Sequence, residues 1–196
     1  ALHAIGEMAR VRDVAELAQR LIDQDKFFRS RYLTVDTVNI LNRYNVGFVI
    51  TTSGSDLDIQ LHSATQWFTW LMNDESYSLY AVDQQPTVTH VIDGNSALAQ
   101  RQWDKAENDY QAELKQNPQS TLALLGLAEI AHAKGHFANA IALLNQAVAQ
   151  SNQPAFHYRL GQIYGELGQV EQSVLEYTQA QQAAPDVARF NVALGD

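Results

Sequence analysis

Gln102-Trp103-Asp104-Lys105-Ala106-Glu107-Asn108-Asp109-Tyr110 decides how this chain is read, because the stretch comes back twice. Thirty-four residues on stands His136-Phe137-Ala138-Asn139-Ala140, with Leu144 in the place of Tyr110. Thirty-three further on stands Gln169-Val170-Glu171-Gln172-Ser173, with Tyr177 in that place. Leu160-Gly161 returns 34 residues later as Leu194-Gly195, and Pro118 and Pro185 close their units at one register. Self-similarity at this period marks a stack of identical helical units. Small residues such as Ala128, Ala140, Gly161 and Ser173 let two helices approach closely, and Tyr164 and Tyr177 fill the space between neighbouring pairs. One pair cannot bury its own apolar face, so the units stack and the ends need caps.

The pattern resembles the tetratricopeptide repeat family. The third repeat, residues 154–187, carries Leu160, Gly161, Tyr164, Gly168, Ser173, Tyr177, Ala180 and Pro185. The second, residues 121–153, keeps Leu127, Ala128, Gly135, Phe137, Ala140, Leu144 and Ala147; it departs at Ala131, where an aromatic is usual, and at its closing proline. The first keeps Trp103, Ala106, Tyr110, Leu114 and Pro118, with a short first helix expected from Gly94-Asn95. A fourth stops at Gly195-Asp196, which predicts self-association or a missing continuation at that end. The resemblance implies an all-α array of helical hairpins over residues 94–196: about two full repeats plus a partial first and fourth. It also implies an inner groove lined by first-helix side chains. Those positions fall on Leu122, Leu125, Glu129, His132 and Ala133, then on Ala155, Tyr158, Gln162, Gly165 and Glu166. With no Lys or Arg among them, the subtype that grips acidic tails is not expected. An apolar or weakly basic peptide suits the lining, or a neighbouring domain or subunit packed against it.

Residues 1–93 read differently, as a small α/β unit in a chain that is α+β overall. Met8, Val11, Ala15, Ala18 and Ile22 give one apolar helix face, interrupted at Asp25-Lys26. Thr34 caps a second helix with Val35, Val38 and Leu41 on its face, and Asn45 is a left-handed stop. Residues 46–51 form a β-branched strand, and a third helix carries Leu57, Leu61, Ala64, Phe68 and Leu71. Residues 77–82 and 87–92 are read as two further strands, the unit capping the first repeat.

Three constellations could carry chemistry. Asp56-Leu57-Asp58 resembles the metal-binding half of Mg²⁺-dependent nucleotidyltransferases, but the Gly-Ser turn that family needs upstream is replaced by Tyr44-Asn45-Val46-Gly47. The plainer expectation is that Asp56 caps the third helix and Asp58 sits in its first turn. His132 and His136 share a four-residue spacing, broken by Gly135. Trp67 and Trp70 stand three apart in an aromatic cluster, a core contact in the first instance and a glycan-binding surface in the second.

Ile40 to Ile50, followed by a helix and Tyr77-Ser78-Leu79-Tyr80-Ala81-Val82, also resembles the soluble tail of polytopic membrane proteins of the glycosyltransferase-C type. None of that family's catalytic residues is in the matched stretch. The resemblance implies a non-catalytic C-terminal region of a larger membrane protein, on the extracytoplasmic side of a bacterial or archaeal membrane, with the cytoplasm as the alternative. The chain starting at Ala1 fits that expectation.

Composition narrows the rest. The 196 residues carry net charge −9, with seven basic against twelve acidic residues before Gly94 and six against ten after it. Neither half suits a phosphate backbone, so no nucleic-acid partner is expected. There is no cysteine, hence no disulfide, thiolate nucleophile or cysteine zinc site. No apolar run reaches the roughly 18–20 residues of a membrane span. The sequence therefore points to a non-catalytic protein-interaction module with no catalytic residue, cofactor or metal.

Overall fold

The structure, a computed structural model, describes residues 14–73 and 76–184, with side chains from Ala18 onward. Helices α1 (Val14–Phe28) and α2 (Val35–Arg43) lead into strand β1 (Phe48–Thr52), helix α3 (Asp56–Ser63), and strands β2 (Phe68–Asn73) and β3 (Tyr77–Val82). Three helical hairpins follow: α4 (His90–Ala99) with α5 (Trp103–Gln116), α6 (Thr121–Ala133) with α7 (Phe137–Gln150), and α8 (Pro154–Glu166) with α9 (Val170–Ala183). The sheet is antiparallel in the order β1-β3-β2.

Local signals explain most boundaries. The Thr34 hydroxyl accepts the Thr37 N–H while the Thr37 hydroxyl accepts the Thr34 N–H at 2.7 Å, a reciprocal cap that starts α2. Asn45 adopts φ +45° and ends it, as its side chain permits. In the repeats the first helix ends on a left-handed residue at one register: Arg101 (φ 58°), Gly135 (φ 75°) and Gly168 (φ 71°). Gln102, His136 and Gln169 then start the second helices with near-identical backbone angles.

Four sequence expectations need correction. The third helix stops at Ser63 rather than running to Leu71. Fully buried Ala64 ends it, its carbonyl accepting the Trp67 and Phe68 N–H groups at 3.0 and 3.1 Å, and Phe68 opens β2. Phe68 kept the helical spacing only because the strand also buries it. Residues 87–92 are not a strand: Thr89, in extended conformation, is the N-cap of α4, so the first repeat starts at His90. Asp25-Lys26 do not interrupt α1, which continues to Phe28 and turns Asp23 and Phe27 inward while Ile22 stays 60% exposed. The N-cap of α3 is Ser55, whose hydroxyl accepts the Asp58 N–H at 3.1 Å; Asp56 is the first helical residue. Met8, Val11, Pro185 and Leu194-Gly195 lie outside the described residues, as does the end of the array through which self-association was expected.

The two parts share their interior. One apolar cluster runs from Phe27 in α1 through Leu41, Leu61 and Tyr80 to Ile92, Tyr110 and Ile130. Tyr110 is fully buried between Gly94 and Gly126, where added Cβ atoms would run into its ring. Its hydroxyl donates to Asn95 Oδ1 at 2.8 Å, and Asn95 Nδ2 donates to Gln60 Oε1 at 2.8 Å and to the Leu33 carbonyl at 2.9 Å. This buried polar chain ties the first repeat to α3 and to the loop before α2. Burial without such partners would cost about 1–3 kcal/mol per group.

Candidate functional site

The inner surface of the repeats is the place to look for a ligand. Of the expected groove residues on α6, Leu122 and Leu125 are 3% and 2% exposed; Leu125 borders the cleft described below, whereas Leu122 packs in the core shared with the N-terminal part. Ile59 of α3 covers part of this surface, sharing one buried cluster with Leu124, Leu125, Ala128 and Phe156. Beside it the Ser63 hydroxyl lies 2.8 Å from Gln153 Oε1. The chain's own third helix therefore packs against part of this surface through Ile59 and Ser63. Tyr158 is 9% exposed, its ring 5.6 Å from that of Tyr177 within the third repeat, with Gln162 Nε2 donating to its hydroxyl.

Glu129, His132, Ala133, Gln162 and Glu166 come together at the open half, while Ala155 lines a separate cavity beside Asp58 and Trp70. His132 Nε2 lies 2.8 Å from Glu166 Oε2, joining α6 to α8 on the exposed rim. Glu129 Oε2 accepts the Tyr32 hydroxyl at 2.7 Å, and Gln162 Oε1 accepts Arg159 Nη1 at 3.1 Å. A cleft of about 270 Å³ opens between them. Its floor is apolar, from Leu98, Trp103, Leu125, Ala128, Leu144 and Ile163; its rim carries Arg31, Tyr32, Glu129, His132, Arg159 and Gln162.

Two of those rim residues, Arg31 and Arg159, are cations that the family's groove positions do not include. Arg159 donates to Asp56 and, at 3.5 Å, to Glu129; Arg31 Nε donates to the other Asp56 oxygen at 2.8 Å. The hydrogen bond that Arg31 donates to Asp56 raises the Arg31 pKa. Burial first, and the Glu129 charge second, push the Tyr32 phenol far above its usual range. Arg159 could have been found from sequence: Ala155, Arg159, Gln162 and Glu166 recur at helical spacing and form one stripe. Arg31 and Asp56 carry no local signal, because only the tertiary fold brings them to α8.

The chemistry-bearing constellations are taken up elsewhere. Asp58 is 9% exposed, and its oxygens accept Thr51 Oγ1 at 2.8 Å, the Tyr80 hydroxyl at 2.7 Å and the Gly54 N–H at 2.8 Å. It is a buried brace for the sheet, whereas Asp56 points into the groove. His136 starts α7 beyond the Gly135 turn while His132 faces Glu166. Among the described residues no group of three His, Cys, Asp or Glu side chains could hold a metal ion. Trp67 is 6% exposed and belongs to the core, while Trp70 is 45% exposed beside His62; the two rings do not form one surface.

Models of the tetratricopeptide repeat match residues 94–155 and 154–187. Residues 94–187 are tetratricopeptide repeats. No curated protein sequence matches the chain. Among solved structures, the repeats resemble the Thermobaculum terrenum O-GlcNAc transferase K341M mutant, with TM-score 0.50 and 25% identity over 54% of this chain and 20% of that one. They resemble SycD, the type III secretion translocator chaperone of Yersinia enterocolitica, with TM-score 0.51 and 15% identity over 54% of this chain and 86% of that one. They also resemble a thermophilic repeat protein of Thermus thermophilus, with TM-score 0.51 and 20% identity over 54% of this chain and 60% of that one. The chain thus spans one fifth of the transferase and under two thirds of the Thermus protein, and the two more distant likenesses establish the fold. The repeats are a protein-interaction scaffold, and no helix among the described residues is long and apolar enough to cross a membrane.

Proposed function

We propose that the chain is a non-catalytic interaction module whose repeats take a partner segment at the open half of the groove. The observation that carries this reading is the cleft itself, an apolar floor inside a rim whose charges are already paired. Arg31 and Arg159 are matched by Asp56 and Glu129. A rim neutralised in this way favours an apolar side chain over a charged one. Exposed Glu166 and the net charge of −9 add a mild preference for a basic flank. Ala133 lines the cleft and is exposed, so Ala133→Trp fills its mouth without entering the core. In a peptide-array screen, Ala133→Trp should abolish binding of the selected peptides while the melting temperature holds. Peptides that bind the variant as well as the wild type would sink the proposal.

The wider setting is the soluble C-terminal region of a larger membrane protein, facing the extracytoplasmic side. It rests on the resemblance carried by residues 40–50 and 77–82. The reading frame upstream of Ala1 tests it: many apolar spans support it, and none overturns it. Against a Mg²⁺-dependent enzyme stands the engagement of both carboxylates, Asp58 by three donors and Asp56 by two guanidinium groups.

A further inference from the structure

Phe68 and Trp70 stand two apart on β2, where the pleat turns alternate side chains to one face. Phe68 pairs with Val82 of β3 and Trp70 with Tyr80, so all four side chains share the inner face of the sheet. Phe68 and Tyr80 are buried there, yet Trp70 keeps 45% of its surface. The inner face is therefore left uncovered at Trp70. A cavity of about 410 Å³ opens at that place, between the sheet, α3 and the third repeat, which contributes Pro154, Ala155, Ala183 and Ala184 to the wall.

The bulge in β2 decides which side chain comes next. By plain alternation Met72 would follow Trp70 onto the inner face. The extra residue instead pairs Met72 with Leu79 and leaves it exposed, while Asn73 pairs with Ser78 and lines the cavity. An amide thus stands where alternation would have set a thioether.

α3 supplies the facing wall. Asp58 and His62 stand four apart and line the cavity together. The His62 ring lies 6.1 Å from that of Trp70 and 6.3 Å from that of Tyr80. Asp58 Oδ1 accepts two hydroxyls, from Thr51 and Tyr80, while Oδ2 accepts only the Gly54 N–H. A carboxylate has about four acceptor positions, so one on Oδ2 remains. Every one of these partners is neutral. Asp23 and Asp56, by contrast, are met by Arg43 and by Arg31 with Arg159. Among the described residues no Lys or Arg lines the cavity. Desolvation lowers the His62 pKa despite the pull of the Asp58 charge, so the imidazole is neutral at pH 7 and does not balance it. Buried charges are ordinarily paired, and this one faces a cavity without its counter-charge.

We propose that the cavity binds a primary alkylammonium group, which Asp58 holds beside the Trp70 ring while the hydrocarbon chain lies along Ile59, Pro154 and Ala155. The unbalanced carboxylate sets the sign of the ligand. Asp58 Oδ2 and Asn73 Oδ1 accept N–H bonds, which a quaternary ammonium does not carry. Tryptophan is the ring that attracts a cation best. The apolar wall and a volume within the usual range of small-molecule sites call for a carbon chain rather than a bare ion. A free aliphatic amine and a lysine side chain both present this group. The cavity is separate from the cleft of the repeats, so the two sites stand or fall independently.

An NMR titration of the 196-residue chain at pH 7 tests the proposal, with n-pentylamine as the free amine and Nα-acetyl-lysine methylamide as the lysine side chain. Both are cations at that pH. The Trp70 indole N–H and the His62 ring signals should shift and saturate with at least one of them. Trp103, in the other cleft, should stay put. Tighter binding of the lysine compound would make a lysine-bearing chain the source, and tighter binding of pentylamine a free amine. Asp58→Asn should weaken binding at least tenfold. Because Asp58 also braces the sheet, Trp70→Leu at the exposed mouth is the second variant, read through His62, and should weaken binding about threefold or more. The proposal is overturned if neither amine gives a saturable shift, if Trp103 responds in place of Trp70, or if uncharged n-pentanol binds as well as the amine. A folded Asp58→Asn with wild-type affinity overturns it too, and so does a Trp70→Leu that binds like the wild type.

Discussion

Tyr110 and Tyr177 hold the same place in repeats 67 residues apart, yet the fold uses them differently. Tyr110 is fully buried between Gly94 and Gly126, and its hydroxyl enters the Asn95–Gln60 chain that reaches α3. Tyr177 is half-buried and packs on Gly161 and Tyr158, both of its own repeat. One repeat rule thus yields a junction residue in the first repeat and an ordinary filler in the third. The difference comes from the neighbours: at Tyr110 the rule is overlaid by a polar network, Asn95 being 0% exposed and Gln60 2%. Buried amides that satisfy each other fix one register between two packed parts, because any slip leaves them unpaired.

The largest test of this contrast is truncation of both rings. Tyr110→Ala should cost about 3–5 kcal/mol, the loss for a buried aromatic. Tyr177→Ala should cost about 1–2 kcal/mol, because much of that ring already meets water. Urea unfolding with unchanged m-values would give both numbers. Equal losses would break the comparison and make the first repeat no more of a junction than the third.

The repeats were the legible half of the fold. Their period fixes α5 to α9, because each helix repeats the same few small and aromatic residues at the same places. It did not fix α4, since the β-branched run Thr87-Val88-Thr89 hides a helix start in which Thr89 supplies extended backbone. Nor did it fix β2: without a Gly or Pro after Ser63, the spacing of Leu61, Ala64 and Phe68 continues the helical rhythm. The candidate site was half legible. Glu129, His132, Gln162 and Glu166 follow from the repeat rule. Arg31 and Asp56 lie 128 and 103 positions from Arg159, so no local pattern could have shown that α3 packs against part of the groove or that Asp56 neutralises its cation.

A gentler test adds one methyl group to each glycine facing these rings. A Cβ on Gly126 would lie 2.2 Å from Tyr110 Cζ, in a ring that is walled in on both sides. Gly126→Ala should therefore destabilise by about 1–3 kcal/mol, the usual cost of overpacking. A Cβ on Gly161 would lie 2.6 Å from Tyr177 Cδ1, but that ring can swing toward solvent. Alanine also gains up to about 1 kcal/mol of helix propensity over glycine. Gly161→Ala should accordingly be near neutral by thermal unfolding. A Gly161→Ala as costly as Gly126→Ala would mean that Tyr177 is as tightly held as Tyr110.

The smallest effect is invisible at neutral pH and appears only in alkali. Burial is the first cause that raises the phenol pKa of Tyr110, as it does for Tyr32 and Tyr80 and for the less deeply buried Tyr177. An unfolded phenol ionises near pH 10. Above that pH the unfolded chain binds fewer protons than the native one, so stability is constant below about pH 10 and falls as pH climbs beyond it. Tyr110→Phe removes one retained proton and should flatten the alkaline limb of the stability curve, at a cost at lower pH of about 1 kcal/mol for the lost hydrogen bond to Asn95. Tyr177→Phe should flatten the limb less, because water already reaches that ring and its phenol can ionise without unfolding. Phenolate absorbance separates the two directly. In the wild type the Tyr177 signal should begin to appear before the cooperative transition, and those of Tyr110, Tyr80 and Tyr32 only with it. A Tyr110→Phe curve that keeps the wild-type alkaline slope would show that this ring exchanges with water in the native state, which its place between Gly94 and Gly126 does not allow.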